Sequence, residues 1–316
     1  MALIEVDHVS KTYGTRDGGV VANDDVTLHV EEGSVFGLFG HNGAGKTTLV
    51  NQLLGLLRPD AGSIVVAGED IVRNRKRGRY LCSVQPQASV PLGELTPRAI
   101  TSLMARMRGA GDEEITRRVG ELFEQLDIAE WADQPGDTLS GGVLRLTCFC
   151  MAAIRPGRVV VLDEPTNDVD PVRRRYLWGA IRELTGDGTA VLLVTHNIGE
   201  AEGAVDEMAI LDHGRVLARG NASRIKASTV GDDMKLQAFT TASREAFGQP
   251  DWAGNIEVRN GEVVVSFPRD RAVDALTWAA ELRGRRLVGD YSLREMSLED
   301  TYVQLVGSKE AGTDAH

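Results

Sequence analysis

Aromatic side chains are scarce, 5% of the chain, too few for a surface that stacks successive nucleobases. Basic charge is also short. Lys and Arg number 35 against 46 Asp and Glu, and the net charge of −11 excludes a broad nucleic-acid footprint. No apolar run approaches the ~18–20 residues of a membrane helix, so a role at a membrane needs another chain to span it. The opening MALIEVDHVSKTYG has no basic segment followed by an apolar one, which sets aside a signal peptide. Cysteine is almost missing. Cys82, Cys148 and Cys150 are an odd set that fits reduced thiols, and Cys148 and Cys150, two apart on a helix, read as small core residues.

What is present fits a soluble globular protein, with 42% hydrophobic and 26% charged residues in 316. LIEVDHV, VTLHV (Val26–Val30) and GSIVVAG (Gly62–Gly68) read as strands. SVFGLFG (Ser34–Gly40), RVVVLDE (Arg158–Glu164) and TAVLLVTH (Thr189–His196) are nearly continuous apolar runs, as expected of parallel strands buried on both faces. Residues from about 90 to 155 carry helical periods with little strand signal. An α/β core with a helical insertion is therefore expected over 1–225. From 226 to 310 a separate small unit is expected as β–β–α–β, with Asn260-Gly261 as a hairpin turn and Ser297 as a helix N-cap. Residues 311–316 are expected to be a disordered tail.

GHNGAGKTT, Gly40 to Thr48, holds the pattern GxxxxGK[ST] between a buried strand and a helix. Glycines let backbone N–H groups converge on phosphate oxygens, and the helix N-terminus adds its dipole. Lys46 supplies positive charge to the β- and γ-phosphates, and Thr47 supplies a hydroxyl ligand for Mg²⁺. At the end of a second buried strand, Asp163 suits a carboxylate on the Mg²⁺ side and Glu164 a residue that polarises the attacking water.

With LSGG (Leu139–Gly142) and THNIGEAE (from Thr195) following in order, residues 3–220 resemble the ATPase subunit of an ATP-binding cassette (ABC) transporter. The resemblance implies a P-loop cassette with a parallel-sheet core, an antiparallel β subdomain and the helical insertion, followed by a small α+β unit. It implies ATP and Mg²⁺ as ligands. His41, Asn42, Gly43, Ala44, Gly45 and Thr48 join Gly40, Lys46 and Thr47 in cradling the nucleotide, and Tyr13 stacks on adenine. Of Gln85 and Gln87, Gln87 matches the glutamine that contacts Mg²⁺, since it follows Pro86 and precedes Leu95-Thr96 at the family spacing. His196 matches the histidine that holds the γ-phosphate. Ser140, Gly141 and Gly142 would close over the ATP of an opposing subunit. TNDVDP keeps Asp170 of the loop that contacts that subunit, with Asp168 and Val169 where the family has Gly and Leu. Val143, where the family usually has a glutamine, is expected to trim a peripheral contact.

The partners implied are a second ATPase subunit, identical or similar, and a separate integral-membrane permease, which places the chain at the cytoplasmic face of the membrane. No specific nucleic acid is implied. Within the family the chain looks most like the daunorubicin-resistance type, whose members serve multidrug, lantibiotic and polysaccharide exporters. Two rival readings are a soluble cassette ATPase acting on ribosomes or DNA, and a regulatory cassette that binds ATP with little turnover. RNRKRGR (Arg73–Arg79) is expected to be a solvated basic loop, with contact to anionic headgroups or a membrane partner as the alternative.

Overall fold

The computed structural model describes residues 2–14, 18–88 and 90–313, with side chains through residue 306. It divides into two compact units, Met1–Asn221 and Ala222–His316.

In the first unit, strands β1 (Ala2–Tyr13) and β2 (Val20–Glu31) pair antiparallel. β3 (Val35–Phe39) leads into helix α1 (Lys46–Leu53). β4 (Ala61–Val66) and β5 (Glu69–Asp70) complete an antiparallel sheet of order β2-β1-β4-β5. Helix α2 (Arg75–Leu81) and β6 (Cys82–Gln85) follow. Then come α3 (Pro97–Met107), α4 (Asp112–Gln125) and α5 (Gly141–Ala153), the helical insertion. β7 (Val159–Asp163), α6 (Pro171–Leu184), β8 (Ala190–Thr195), α7 (Ile198–Ala201), β9 (Glu207–Asp212) and β10 (Arg215–Gly220) close the unit.

The second sheet runs β10-β9-β3-β8-β7-β6, parallel except for β10. Every residue of β3, β7 and β8 is buried, as continuous apolar strands covered on both faces require. The pairing Phe39↔Thr195 and Asp163↔Val194 levels the carboxyl ends of β3, β8 and β7. That edge is where open α/β sheets bind ligands. Phe36, Leu38, Leu49, Val161 and Leu192 share one core with Val6, Leu28 and Ile64 of the antiparallel sheet.

The second unit contains α8 (Ala222–Thr229), β11 (Asp233–Phe239), β12 (Ile256–Arg259), β13 (Glu262–Pro268), α9 (Ala272–Gly284), β14 (Tyr291–Glu295) and α10 (Leu298–Thr313). Its antiparallel sheet has the order β12-β13-β11-β14 over a core of Leu236, Val263, Val265, Phe267, Ala279 and Leu282. Asn260 and Gly261 turn the β12–β13 hairpin with φ of 53° and 78°, the paired positive values of a type I′ turn. Ser297 caps α10 reciprocally: its Oγ accepts from the Asp300 N–H at 3.1 Å, and Asp300 Oδ2 accepts from the Ser297 N–H at 3.0 Å.

The structure departs from the sequence expectation at several elements. β11 adds a strand to the β–β–α–β reading. It buries only Leu236 and Ala238 on its core face and leaves Phe239 exposed, so its alternation is weak. Part of the basic run is the helix α2 rather than a loop, and Arg75 donates to the carbonyls of Gly55 and Leu56 at 2.8 and 2.5 Å. α10 continues through Thr313, taking in the first three residues of the expected tail, and residues 314–316 lie outside the described ones. Among the described residues no helix is long and apolar enough to cross a membrane. All three cysteines are buried, and burial pushes the Cys82 thiol up to about 12.

Candidate active site

The loop between β3 and α1 is built around Gly45, whose φ is 104° and whose missing Cβ would lie 2.1 Å from the Ala22 carbonyl oxygen of β2. Only glycine fits there. Asn23 of the same strand donates to the Gly45 carbonyl at 3.2 Å. Lys46 folds back over the loop, and its ammonium donates to the carbonyls of Gly40 and His41 at 2.6 and 3.0 Å. Burial lowers its pKa, opposed by the charges of Glu164 and Asp163. Asn42, Gly43, Gly45, Lys46, Thr47 and Thr48 line a cavity of about 330 Å³ together with Gln87, Asp163 and Glu164. Ala44 is buried beneath the loop. Tyr13 is half exposed at the end of β1, its hydroxyl 3.4 Å from Thr48 Oγ1. Gln87 is on the cavity wall, while Gln85 is fully buried in β6 and donates to the Arg145 carbonyl at 3.2 Å.

Asp163 and Glu164 face different surroundings. Burial, with the Glu164 charge beside it, pushes the Asp163 carboxyl up to about 6, against the pull of Lys46 and Arg145. Glu164 holds φ at 50°, a strained value for a residue with a side chain. Its Oε2 accepts from Thr195 Oγ1 at 2.7 Å. Its Oε1 lies 3.0 Å from the His196 backbone N–H and 2.5 Å from His196 Nδ1. Three of the roughly four lone-pair directions of the carboxylate are thus filled.

Ser140, Gly141 and Gly142 are not in this cavity. With Val143, Asp168, Asp170 and Arg173 they line a second one of about 320 Å³. Ser140 is the N-cap of α5, its Oγ accepting from the Val143 N–H at 3.4 Å. A Cβ on Gly142 would lie 2.6 Å from the Asp168 carbonyl oxygen, so the two loops touch through glycine. Asp168 takes φ of 63°, the conformation that the glycine of the family pattern would adopt freely. Asp170 caps α6, accepting from the N–H groups of Val172 and Arg173, and these bonds hold its carboxyl below the usual range. Val143 is buried in the first turn of α5, on the wall of this second cavity.

Arg145, three positions after Gly142, is a basic residue in the apolar helix that follows LSGG. Its guanidinium is almost wholly buried and donates to the carbonyls of Pro86 and Gln87 at 2.9 and 2.7 Å. The helix that starts at Ser140 therefore holds the backbone carrying Gln87. An arginine in an apolar helical run was the available signal.

A family model described as ABC transporter matches residues 23–167. The chain is similar to a daunorubicin resistance ATP-binding protein of Streptomyces coeruleorubidus, 35% identical and covering 96% of both chains. The chain belongs to the ABC transporter family. A Nod factor export ATP-binding protein of Ralstonia nicotianae is 31% identical, over 96% of this chain and 94% of that one. Among solved structures, an ATP-binding subunit of an ABC transporter superposes with a TM-score of 0.66 at 28% identity, over 72% of this chain and 94% of that one. A dimeric ATP-binding cassette with ADP and phosphate bound, 23% identical with a TM-score of 0.62, shares the fold. The ABC chain described here is an ATP-binding, ATP-hydrolysing subunit of an exporter.

Proposed function

We propose that the cavity at the carboxyl edge of β3, β8 and β7 holds ATP, and that Ser140, Gly141 and Gly142 of a second copy complete it. The observation that carries this reading is the convergence of Lys46, Thr47, Gln87, Asp163 and Glu164 on one cavity, with the Ser140 loop on another cavity of the same unit. Two incomplete half-sites on one chain are what a head-to-tail pair joins into two complete ones.

In this reading Tyr13 lies against the adenine, and the Gly40–Thr48 loop and Lys46 take the phosphates. Thr47, Gln87 and Asp163 form an all-oxygen donor set that suits Mg²⁺, which would neutralise charge building on the β- and γ-phosphates. Glu164 orients the attacking water. The imidazole of His196 occupies Glu164 Oε1. Turning to the γ-phosphate frees that oxygen for water, so both groups act only on a loaded site. Contacts of the γ-phosphate to both subunits close the pair, and their loss on hydrolysis reopens it.

A separate membrane permease is the proposed load, with the chain at the cytoplasmic face of the membrane. Support comes from an open groove of about 1510 Å³ between core and helical insertion, flanked by the exposed Tyr80 and Met107 and by Arg79. Relatives named for drug resistance and for Nod factor export favour outward transport. The small second unit is proposed as an accessory to the ATPase. Glu164→Gln should bind ATP and pair but lose turnover at least ~10²-fold, measured as phosphate release alongside sedimentation. Hydrolysis at the wild-type rate would remove Glu164 from the mechanism.

A further inference from the structure

One residue of the phosphate loop, His41, belongs to a side-chain cluster to which the proposed hydrolysis gives no role. His41, Asp212 and His213 bring one ligand atom each to within 4.8 Å of one another. His41 Nε2 lies 3.0 Å from Asp212 Oδ1, and His213 Nε2 lies 4.0 Å from the same oxygen. The two imidazoles are tilted at 57°, with centroids 5.2 Å apart.

The protonation geometry is informative. His41 Nδ1 is 2.7 Å from the Asn42 carbonyl oxygen, which can only accept, so Nδ1 carries the hydrogen. In the neutral ring Nε2 is then a lone-pair atom, and it faces a carboxylate oxygen. Both His41 Nε2 and Asp212 Oδ1 are buried without a hydrogen-bond partner, and Asp212 is only 6% exposed. Two acceptors at that distance need a cation between them, either a proton or a metal ion. Donation of the other ring N–H to a backbone carbonyl is the arrangement that orients a histidine ligand on a metal.

The backbone around the cluster is fixed. His213 and Gly214 form the turn between β9 and β10, with φ of 43° and 78°. Gly214 donates its N–H to the Ala44 carbonyl at 3.0 Å and accepts from the Asp24 N–H at 2.9 Å. The turn is thus tied both to the phosphate loop and to β2. Ligand atoms around tetrahedral zinc, with bonds of about 2.0–2.1 Å, stand roughly 3.3–3.5 Å apart, and the 3.0 and 4.0 Å edges here straddle that spacing. His213 is exposed and free to turn its ring by the difference.

We propose that His41, Asp212 and His213 bind a divalent transition cation of the zinc class, with a fourth position open to solvent. Two imidazoles and one carboxylate select such ions over Mg²⁺, which takes oxygen donors. The ion ties the second residue of the phosphate loop to the end of β9. His41 also accepts from Lys46 through its carbonyl, so occupancy stiffens the loop that carries Lys46.

The test is Co²⁺ titration of the untagged, nucleotide-free full chain, followed by visible absorption and by thermal unfolding. The expected result is one equivalent of Co²⁺ with the intense bands of a four- or five-coordinate site, displaced by Zn²⁺, and a raised unfolding temperature. His213→Asn keeps a residue suited to the left-handed turn and should weaken Co²⁺ binding at least ~10-fold, with the basal ATPase rate in Mg²⁺ unchanged. No cobalt bands in the wild-type chain, which would leave a proton as the bridging cation, overturns the proposal. So does unchanged Co²⁺ affinity in His213→Asn.

Discussion

Burial at the end of β7, with Glu164 beside it, raises the Asp163 carboxyl from an ordinary aspartate value to about 6. Because the folded value lies above the unfolded one, the ionised group destabilises the fold. The penalty is complete above pH 6 and fades as the pH falls toward 4. Asp163→Asn should therefore be more stable than the wild type at pH 8, with the gap in urea midpoint closing on acidification, while Mg²⁺-supported hydrolysis is lost. A gap that widens on acidification would contradict the assignment. Much of this scale is legible in sequence, because phosphate chemistry fixes residue types at fixed spacing around Lys46 and Glu164. What is not legible is conformational. The positive φ of Glu164 and Asp168 comes from the loops into which they are folded, and neither residue type announces it.

Between elements, Arg145 ties α5 to the strand-end backbone of Pro86 and Gln87. Arg145→Lys retains the charge but not the planar fork, and leaves one carbonyl unpaired in a buried site. A loss of about 1–3 kcal/mol in urea unfolding is expected, together with a slower ATPase, because the Gln87 segment loses its anchor. Equal stability and equal rate would show that the two bonds are incidental. In the second unit, Lys235 and Asp300 pair at 2.6 Å with little exposure of either. Burial would raise the Asp300 carboxyl, but the bonds from Lys235 and Ser297 outweigh it and hold the carboxyl low. Asp300→Ala should destabilise that unit by about 3–5 kcal/mol, read by circular dichroism, while ATP affinity stays the same. The buried parallel strands were readable as continuous apolar runs. β6 and β11 were not: CSVQ is short and mixed, and DMKLQAF sets two charges and a glutamine among its apolar residues. Their burial depends on partners distant in sequence, such as Asp300 for Lys235.

At the scale of the whole molecule, the proposed function assigns the two halves of an ATP site to two separate cavities of one unit. The family resemblance assigned Ser140 to the ATP of an opposing subunit, and the fold puts Ser140 and Lys46 in different cavities. A second copy is the simplest source of the missing half. The most direct measurement is complementation of ATPase activity between two inactive variants. Lys46→Met removes the phosphate-loop charge and leaves the Ser140 surface intact, whereas Ser140→Arg blocks that surface and leaves the phosphate loop intact. Each variant alone has no complete site. In a mixed head-to-tail pair, the phosphate loop of the Ser140→Arg chain meets the Ser140 surface of the Lys46→Met chain, so one site is whole. The account predicts that ATP hydrolysis returns when the two inactive chains are mixed. No return of activity in mixtures shown to form mixed pairs would contradict it.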